Sequence, residues 1–255
     1  MTAPTPGRLV LVPCTLDLGT EPTPISEVLS HGALRQAAGI GHWVVENAKS
    51  ARAFLKRVGE VVPLAQPLQA LSLQELPRPR KGAPQDDTDP KAWTALLAPA
   101  RQGHAVGLLS DAGLPAVADP GARLVAEAHA VGLAVEVLPG ASSLTLALAA
   151  SGLNGQRFAF EGYLPQDAAE RAKRVRTLEQ RSRQEGQTQL VIETPYRNPA
   201  LMQALLETLQ PGTRLSVACG LTSVGGFCTT RTVAQWRTAP PNLPTQLPAV
   251  FMWLA

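Results

Sequence analysis

The residues best suited to chemistry lie in Leu108-Leu109-Ser110-Asp111-Ala112-Gly113-Leu114-Pro115-Ala116-Val117-Ala118-Asp119-Pro120-Gly121. An apolar run ends there in small residues, two aspartates, two prolines and two glycines. Glycine lets the backbone approach a ligand closely, and proline fixes the shape of a loop. At the carboxyl end of a parallel strand, such a segment reads as a ligand loop. Pro13 to Gly19, Pro139 to Ser143 and Glu193 to Asn198 share its texture. None has the spacing of a P-loop or of the GxGxxG fingerprint. Small hydroxyl residues without a phosphate-gripping lysine suit a nucleotide-like ligand that lacks a large phosphate group. Taken singly, each segment also fits an ordinary βα turn.

The elements that must position these loops alternate. Arg8 to Pro13, His42 to Glu46, Val61 to Leu64, Ala105 to Leu109 and Ala134 to Leu138 read as strands. Between them, Ile25 to Ala38, Ser50 to Val58, Ala92 to Arg101 and Gly121 to Val131 read as helices, with Gly39 and Gly59 as stops. This βαβα order predicts a mostly parallel sheet with right-handed crossovers. Gln74 to Pro90, rich in proline, aspartate and basic residues, reads as an exposed loop or insertion.

After Pro139 the texture changes. Helices are expected over Ala141 to Ser151, Gln166 to Glu185 and Pro199 to Leu209. Strands are expected over Arg157 to Glu161, Thr188 to Glu193, Arg214 to Cys219, Thr229 to Val233 and Ala249 to Trp253, with little helix between the last two. The fold class is therefore α/β, with a domain over residues 7–139 and a mixed, more antiparallel domain over 140–255.

With 255 residues, 45% hydrophobic and 17% charged, the chain has a globular composition with proline-rich connections. A net charge of +3 and a pI near 9.0 permit an anionic partner without demanding one. Basic residues crowd Arg171, Lys173, Arg174, Arg176, Arg181 and Arg183, with a second cluster at Arg78, Arg80 and Lys81. The first cluster reads either as a solvated helix face or as an RNA contact. Three cysteines without a CxxC pair predict reduced thiols in a cytoplasmic protein. No signal peptide, membrane span or metal site is expected.

Ser110 to Gly121 closely resembles the S-D-A-G-x-P-x-x-x-D-P-G signature of the tetrapyrrole methylase superfamily. Leu138-Pro-Gly-Ala-Ser-Ser143 is similar to its P-G-x-S/T segment. Ser151-Gly-Leu-Asn-Gly-Gln-Arg-Phe-Ala-Phe-Glu-Gly-Tyr-Leu-Pro165 resembles a stretch of the branch that methylates cytidine 2′-hydroxyls in small-subunit ribosomal RNA. The resemblance runs in order over nearly the whole chain. It implies a two-domain fold with S-adenosylmethionine in the cleft between the domains, a homodimer, and RNA or the ribosomal small subunit as partner. Carried over by position, Pro13, Leu109, Ser110, Asp111, Ala112 and Leu114 would line the cofactor from the first domain. Ser142, Ser143, Thr194 and Gly220 would line it from the second. Lys49, Arg52, Tyr196 and Arg197 would meet the substrate.

A hydroxyl acceptor benefits from a base. Asp17, Glu46, Asp111 and Glu193 are the candidates, with Asp111 equally suited to bracing its own loop. The chain departs from the RNA branch in three places. Val12-Pro-Cys-Thr-Leu-Asp-Leu-Gly19 replaces V-P-T-P-I-G-N-L, Glu46-Asn-Ala-Lys49 replaces E-D-T-R, and Gln74 to Pro90 stands where Y-H-E-H-N is expected. Lysine for arginine forfeits bidentate recognition of phosphate or carboxylate. Glu193-Thr-Pro-Tyr-Arg197 stays close to E-S-x-H-R, with Arg197 suited either to RNA phosphate or to a carboxylate pairing that holds the dimer. The resemblance thus implies a methyltransferase with an altered substrate. The alternatives are a tetrapyrrole-type small-molecule methylase and a catalytically silent, cofactor-binding RNA-associated protein.

Overall fold

The computed structural model describes residues 7–16, 23–78 and 89–255. By internal contacts the chain divides into two units, Met1–Ala141 and Ser142–Ala255.

In the first unit, short apolar runs make the three central strands of a parallel sheet, buried on both faces as βαβ crossovers require. The elements are β1 (Arg8–Leu11), α1 (Ile25–Val28), α2 (His31–Ala38), β2 (His42–Val45), α3 (Ala48–Val61), β3 (Ser72–Glu75), α4 (Pro90–Leu96), α5 (Ala98–Arg101), β4 (Ala105–Leu109), α6 (Ala122–Ala130) and β5 (Ala134–Val137). The strand order is β3-β2-β4-β1-β5 and every described pairing is parallel. Alternation along the strands sends Val10, Trp43 and Val45 towards α1–α3, and Leu9, Val44 and Leu108 towards α4–α6. β2 and β4 are neighbours whose chains leave in opposite directions, β2 to β3 and β4 to β5. Their carboxyl ends therefore flank a topological switch point, where α/β sheets hold ligands.

Several expectations change. The helix expected over Ile25 to Ala38 is two helices, because the Ser30 hydroxyl accepts the Ala33 N–H at 3.2 Å and starts a new one. Gly59 does not stop the next helix; α3 runs through it to Val61. Val61 to Leu64 is thus not the third strand, which is instead the half-polar Ser72–Glu75 paired with β2. That strand and the start of α4 at Pro90 also take both ends of the expected Gln74 to Pro90 loop. Its middle, with Arg80 and Lys81, lies outside the described residues. The helix expected over Ala92 to Arg101 breaks at Leu97.

The second unit comprises α7 (Ser143–Ser151), β6 (Phe158–Phe160), α8 (Ala168–Glu185), β7 (Thr188–Glu193), α9 (Asn198–Thr208), β8 (Arg214–Cys219), β9 (Phe227–Thr232), α10 (Val233–Thr238) and β10 (Ala249–Leu254). Its sheet runs β6-β7-β10-β8-β9, with β6 and β7 parallel and the other pairs antiparallel. α8, α9 and α10 cover one face over Val191, Phe251 and Trp253. α7 packs on the other over Leu190, Val250 and Met252. α8 opens on Asp167, whose side chain accepts the Glu170 N–H at 2.9 Å, and closes on left-handed Gly186. α10 is the helix not expected; Thr232 and Gln235 form its capping box.

Candidate functional site

In the first unit the structure gathers side chains at the switch point. Glu46 follows β2 and Asp111 lies two residues past β4; the Glu46 Oε2 accepts the Asp111 N–H at 3.1 Å. The Glu46 N–H donates to the Leu109 carbonyl at 3.0 Å. The Ser50 hydroxyl donates to Asp111 Oδ1 at 2.5 Å. Ser50 is held there because Asn47 caps α3, its Oδ1 accepting the N–H groups of Lys49 at 2.8 Å and Ser50 at 3.3 Å. An amide caps as well as a carboxylate, so the departure at Asn47 removes a charge and keeps the cap. On the other side, Cys14 and Gly113 exchange backbone hydrogen bonds, both 2.8 Å, which ties the loop to the end of β1.

The loop after β4 is built of backbone in unusual conformations. Gly113, Ala116, Ala118 and Gly121 have φ of 72°, 66°, 63° and 128°. Two alanines in the left-handed region carry strain, and such residues concentrate at functional sites. Asp119 sits between Ala118 and Pro120, half-buried. Burial, with the charges of Glu46 and Asp111 nearby, pushes its carboxyl far above the ordinary carboxylate value, to about 7. Gly140 approaches the end of β1 so closely that a Cβ there would lie 2.3 Å from the Pro13 Cβ.

In the second unit, Ser142 caps α7 without a side-chain hydrogen bond and Ser143 is exposed on its first turn. Glu193, 8% exposed at the end of β7, takes both Nε and Nη2 of Arg197 on Oε1, at 3.0 and 2.6 Å. The same oxygen accepts the Thr194 N–H at 2.7 Å. The Arg197 guanidinium is thus held by a carboxylate of its own unit, Glu193. Tyr196 is 72% exposed, with the Arg197 guanidinium carbon 5.8 Å from its ring centroid. Gly220, buried at the end of β8, has φ 58°, and a Cβ there would lie 2.7 Å from Leu247.

Of the residues the sequence singled out, Pro13, Leu109 and Ser110 are buried, Ala112 and Leu114 half-buried, and Asp111 exposed around the first unit's loop. Lys49 and Arg52 are exposed on α3, whose first turn carries Ser50 to Asp111. Asp17 lies outside the described residues. Sequence reasoning missed Ser50 and gave Asp119 no role. The second aspartate of the motif was visible, but its proximity to Glu46 depends on the fold of the loop. A cavity of about 340 Å³ lined by His42, Gln66 and His104 opens at the opposite, amino-terminal end of the same sheet. Among the described residues, no group of three or more histidine, cysteine or acidic side chains could hold a metal ion. Nor is any helix among them long and apolar enough to cross a membrane.

Solved structures share this fold over nearly the whole chain. Diphthine synthase matches with a TM-score of 0.59 and 16% identity, over 98% of this chain and 90% of that one. The methyltransferase CobJ matches with a TM-score of 0.56 and 18% identity, over 97% and 93%. The tetrapyrrole (corrin/porphyrin) methylases match residues 42–232, and the chain belongs to that family. Among curated proteins it is similar to ribosomal RNA small subunit methyltransferase I of Thermotoga maritima, 38% identical over 109 residues, 43% of this chain and 47% of that protein. The enzyme of that name from Pseudomonas aeruginosa is 43% identical over 95 residues, 37% of this chain and 32% of that protein. The chain thus spans less than half the length of these two relatives.

Proposed function

We propose that the protein is an S-adenosylmethionine-dependent methyltransferase that methylates RNA, with a ribose hydroxyl of ribosomal RNA as the acceptor. The observation that carries the reading is the Ser110 to Gly121 loop, strained, stitched to Glu46 and Ser50, and set at the switch point of a methylase-family sheet. The donor set suits this cofactor. The loop offers backbone N–H and C=O groups, the Ser110 hydroxyl and carboxylates, and no lysine or arginine. That chemistry reads an adenine edge and complements a cationic sulfonium and ammonium. Pro13, Leu109, Ser110, Asp111, Ala112 and Leu114 would hold the cofactor, together with Ser142, Ser143, Thr194 and Gly220.

The sulfonium supplies an electrophilic methyl group, so the protein's task is mostly alignment. Glu46 and Ser50 fix Asp111 and hence the start of the loop. Asp119 and Glu46 are carboxylates able to accept a hydroxyl proton, and burial beside Glu46 and Asp111 pushes Asp119 up to about 7, a value matched to neutral pH. Similarity to the ribosomal RNA enzymes supports the acceptor. A homodimer is part of the reading. α7 carries no charged residue, Leu146 on it is 38% exposed, and Phe158 and Phe160 are 46% and 36% exposed. Phe160 pairs with Leu190, which packs with α7, so these side chains share one sheet face suited to a second copy. The expected setting is the cytoplasm.

Transfer of tritiated methyl from S-adenosylmethionine to ribosomal RNA purified from a deletion strain tests the proposal. Label in RNA is the expected result. Label in a porphyrinogen instead would move the protein to the small-molecule methylases. Cofactor binding by calorimetry without label in either would make it a silent binding protein.

A further inference from the structure

The chain has two tyrosines, Tyr163 and Tyr196, and the fold brings both to one edge. The Ile192 N–H donates to the Gly162 carbonyl at 3.1 Å, so pairing of β6 with β7 continues as far as Gly162. Tyr163 is the next residue, and Tyr196 follows the end of β7 in a single 3-10 turn, Pro195–Arg197. Both therefore leave the carboxyl end of the same parallel pair. Tyr163 is 56% exposed and Tyr196 72%. The guanidinium carbon of Arg197 lies 5.8 Å from the Tyr196 ring centroid. That guanidinium is pinned by Glu193, so it braces the edge rather than reaching outward.

Cations border this edge. Arg171 donates to the carbonyls of Pro165 and Gln166 at 3.4 and 2.9 Å, and Arg174 to Glu161 at 2.5 Å, so α8 is anchored to the segment that carries Tyr163. Lys173, Arg176 and Arg183 are exposed on the same helix. A protein partner would meet a surplus of positive charge here, whereas an RNA strand brings the matching phosphates. Every base has a π-face that an aromatic ring can stack on, with arginine adding a cation–π contribution.

We propose that Tyr163 and Tyr196 form a stacking platform for an unpaired nucleobase of single-stranded RNA, with the phosphates on either side running past the cations of α8. This rests on the RNA reading above and adds the surface that grips the strand. A single-stranded RNA carrying 2-aminopurine, whose fluorescence falls on stacking, is titrated against the full chain. The wild type is expected to quench it, and the same RNA as a duplex is not. Tyr163→Ala and Tyr196→Ala should each weaken binding by roughly tenfold, while Tyr163→Phe and Tyr196→Phe keep the ring and the affinity. Absence of quenching by the wild type overturns the proposal. So do alanine variants that bind RNA like the wild type, including the case where they alter self-association in sedimentation and so mark a contact between copies. Methyl transfer is measured in parallel. Stacking without transfer supports the platform and overturns the methyltransferase reading; transfer with unchanged alanine variants does the reverse.

Discussion

The Glu46 carboxylate accepts the backbone N–H of Asp111 at 3.1 Å, tying the ends of β2 and β4 where their chains diverge. A carboxylate on a backbone N–H is a charge-assisted bond, worth about 1.5–3 kcal/mol. It fixes the first peptide of the ligand loop rather than the core. Glu46→Ala is therefore expected to raise the calorimetric Kd for S-adenosylmethionine by roughly tenfold, with a loss of stability no larger than that of the bond itself. Unchanged affinity would separate the Glu46 tether from the ligand.

Asp119 links the same loop to pH. Its carboxyl is raised from 3.8 to about 7, by burial first and then by Glu46 and Asp111. The folded state thus keeps a proton that the unfolded chain releases. Stability from this group is complete below the unfolded value, falls as pH rises through the folded value, and stays low above it. Asp119→Asn removes the titration. The unfolding free energy of the variant, from urea titration, should gain on the wild type by about 1 kcal/mol between about pH 5 and pH 8, allowing for solvent screening. A difference that is flat with pH would sink the assignment.

Gly140 is required by contact. A Cβ there would fall 2.3 Å from the Pro13 Cβ and 2.4 Å from its Cγ. Overpacking of this kind costs about 1–3 kcal/mol. Gly140→Ala should lower the denaturation midpoint accordingly, and Pro13→Gly in the same chain should recover part of the loss. Additive losses in that double-mutant cycle would mean that the two residues do not meet.

How much of this could be read from the sequence depended on what held each element. β1, β4, β7, β8 and β10 are apolar runs buried in the sheets, and their pattern is enough to find them. β3 is not, because Ser72–Glu75 is an edge strand, half polar, fixed by pairing with β2. Val61 to Leu64 looked more like a strand, yet α3 propagates through Gly59, where a Cβ would lie 3.3 Å from Leu64. Thr232 and Gln235 did carry a readable signal for α10, the capping box. At the site, Glu46, Ser110 and Asp111 were legible from residue type and position at strand ends. The state of Asp119 was not, since it arises from a loop folding back on carboxylates that precede it by 73 and 8 positions.

That loop's own strain gives the last prediction. Ala116 and Ala118 have φ of 66° and 63°, a conformation that costs an L-residue roughly 1–2 kcal/mol. Glycine adopts it without that cost but gains freedom in the unfolded chain, which returns part of the gain. Ala118→Gly is therefore expected to raise the unfolding free energy, read from urea titration, by about 0.5 kcal/mol. If the alanines hold the loop in its ligand-bearing shape, the same substitution loosens it, and S-adenosylmethionine binds more weakly with a less favourable entropy. Calorimetry and denaturation on one preparation read both changes. Higher stability with unchanged affinity would mean the strain is incidental to binding. Lower stability would mean that the backbone of Ala118 is not strained as its φ implies.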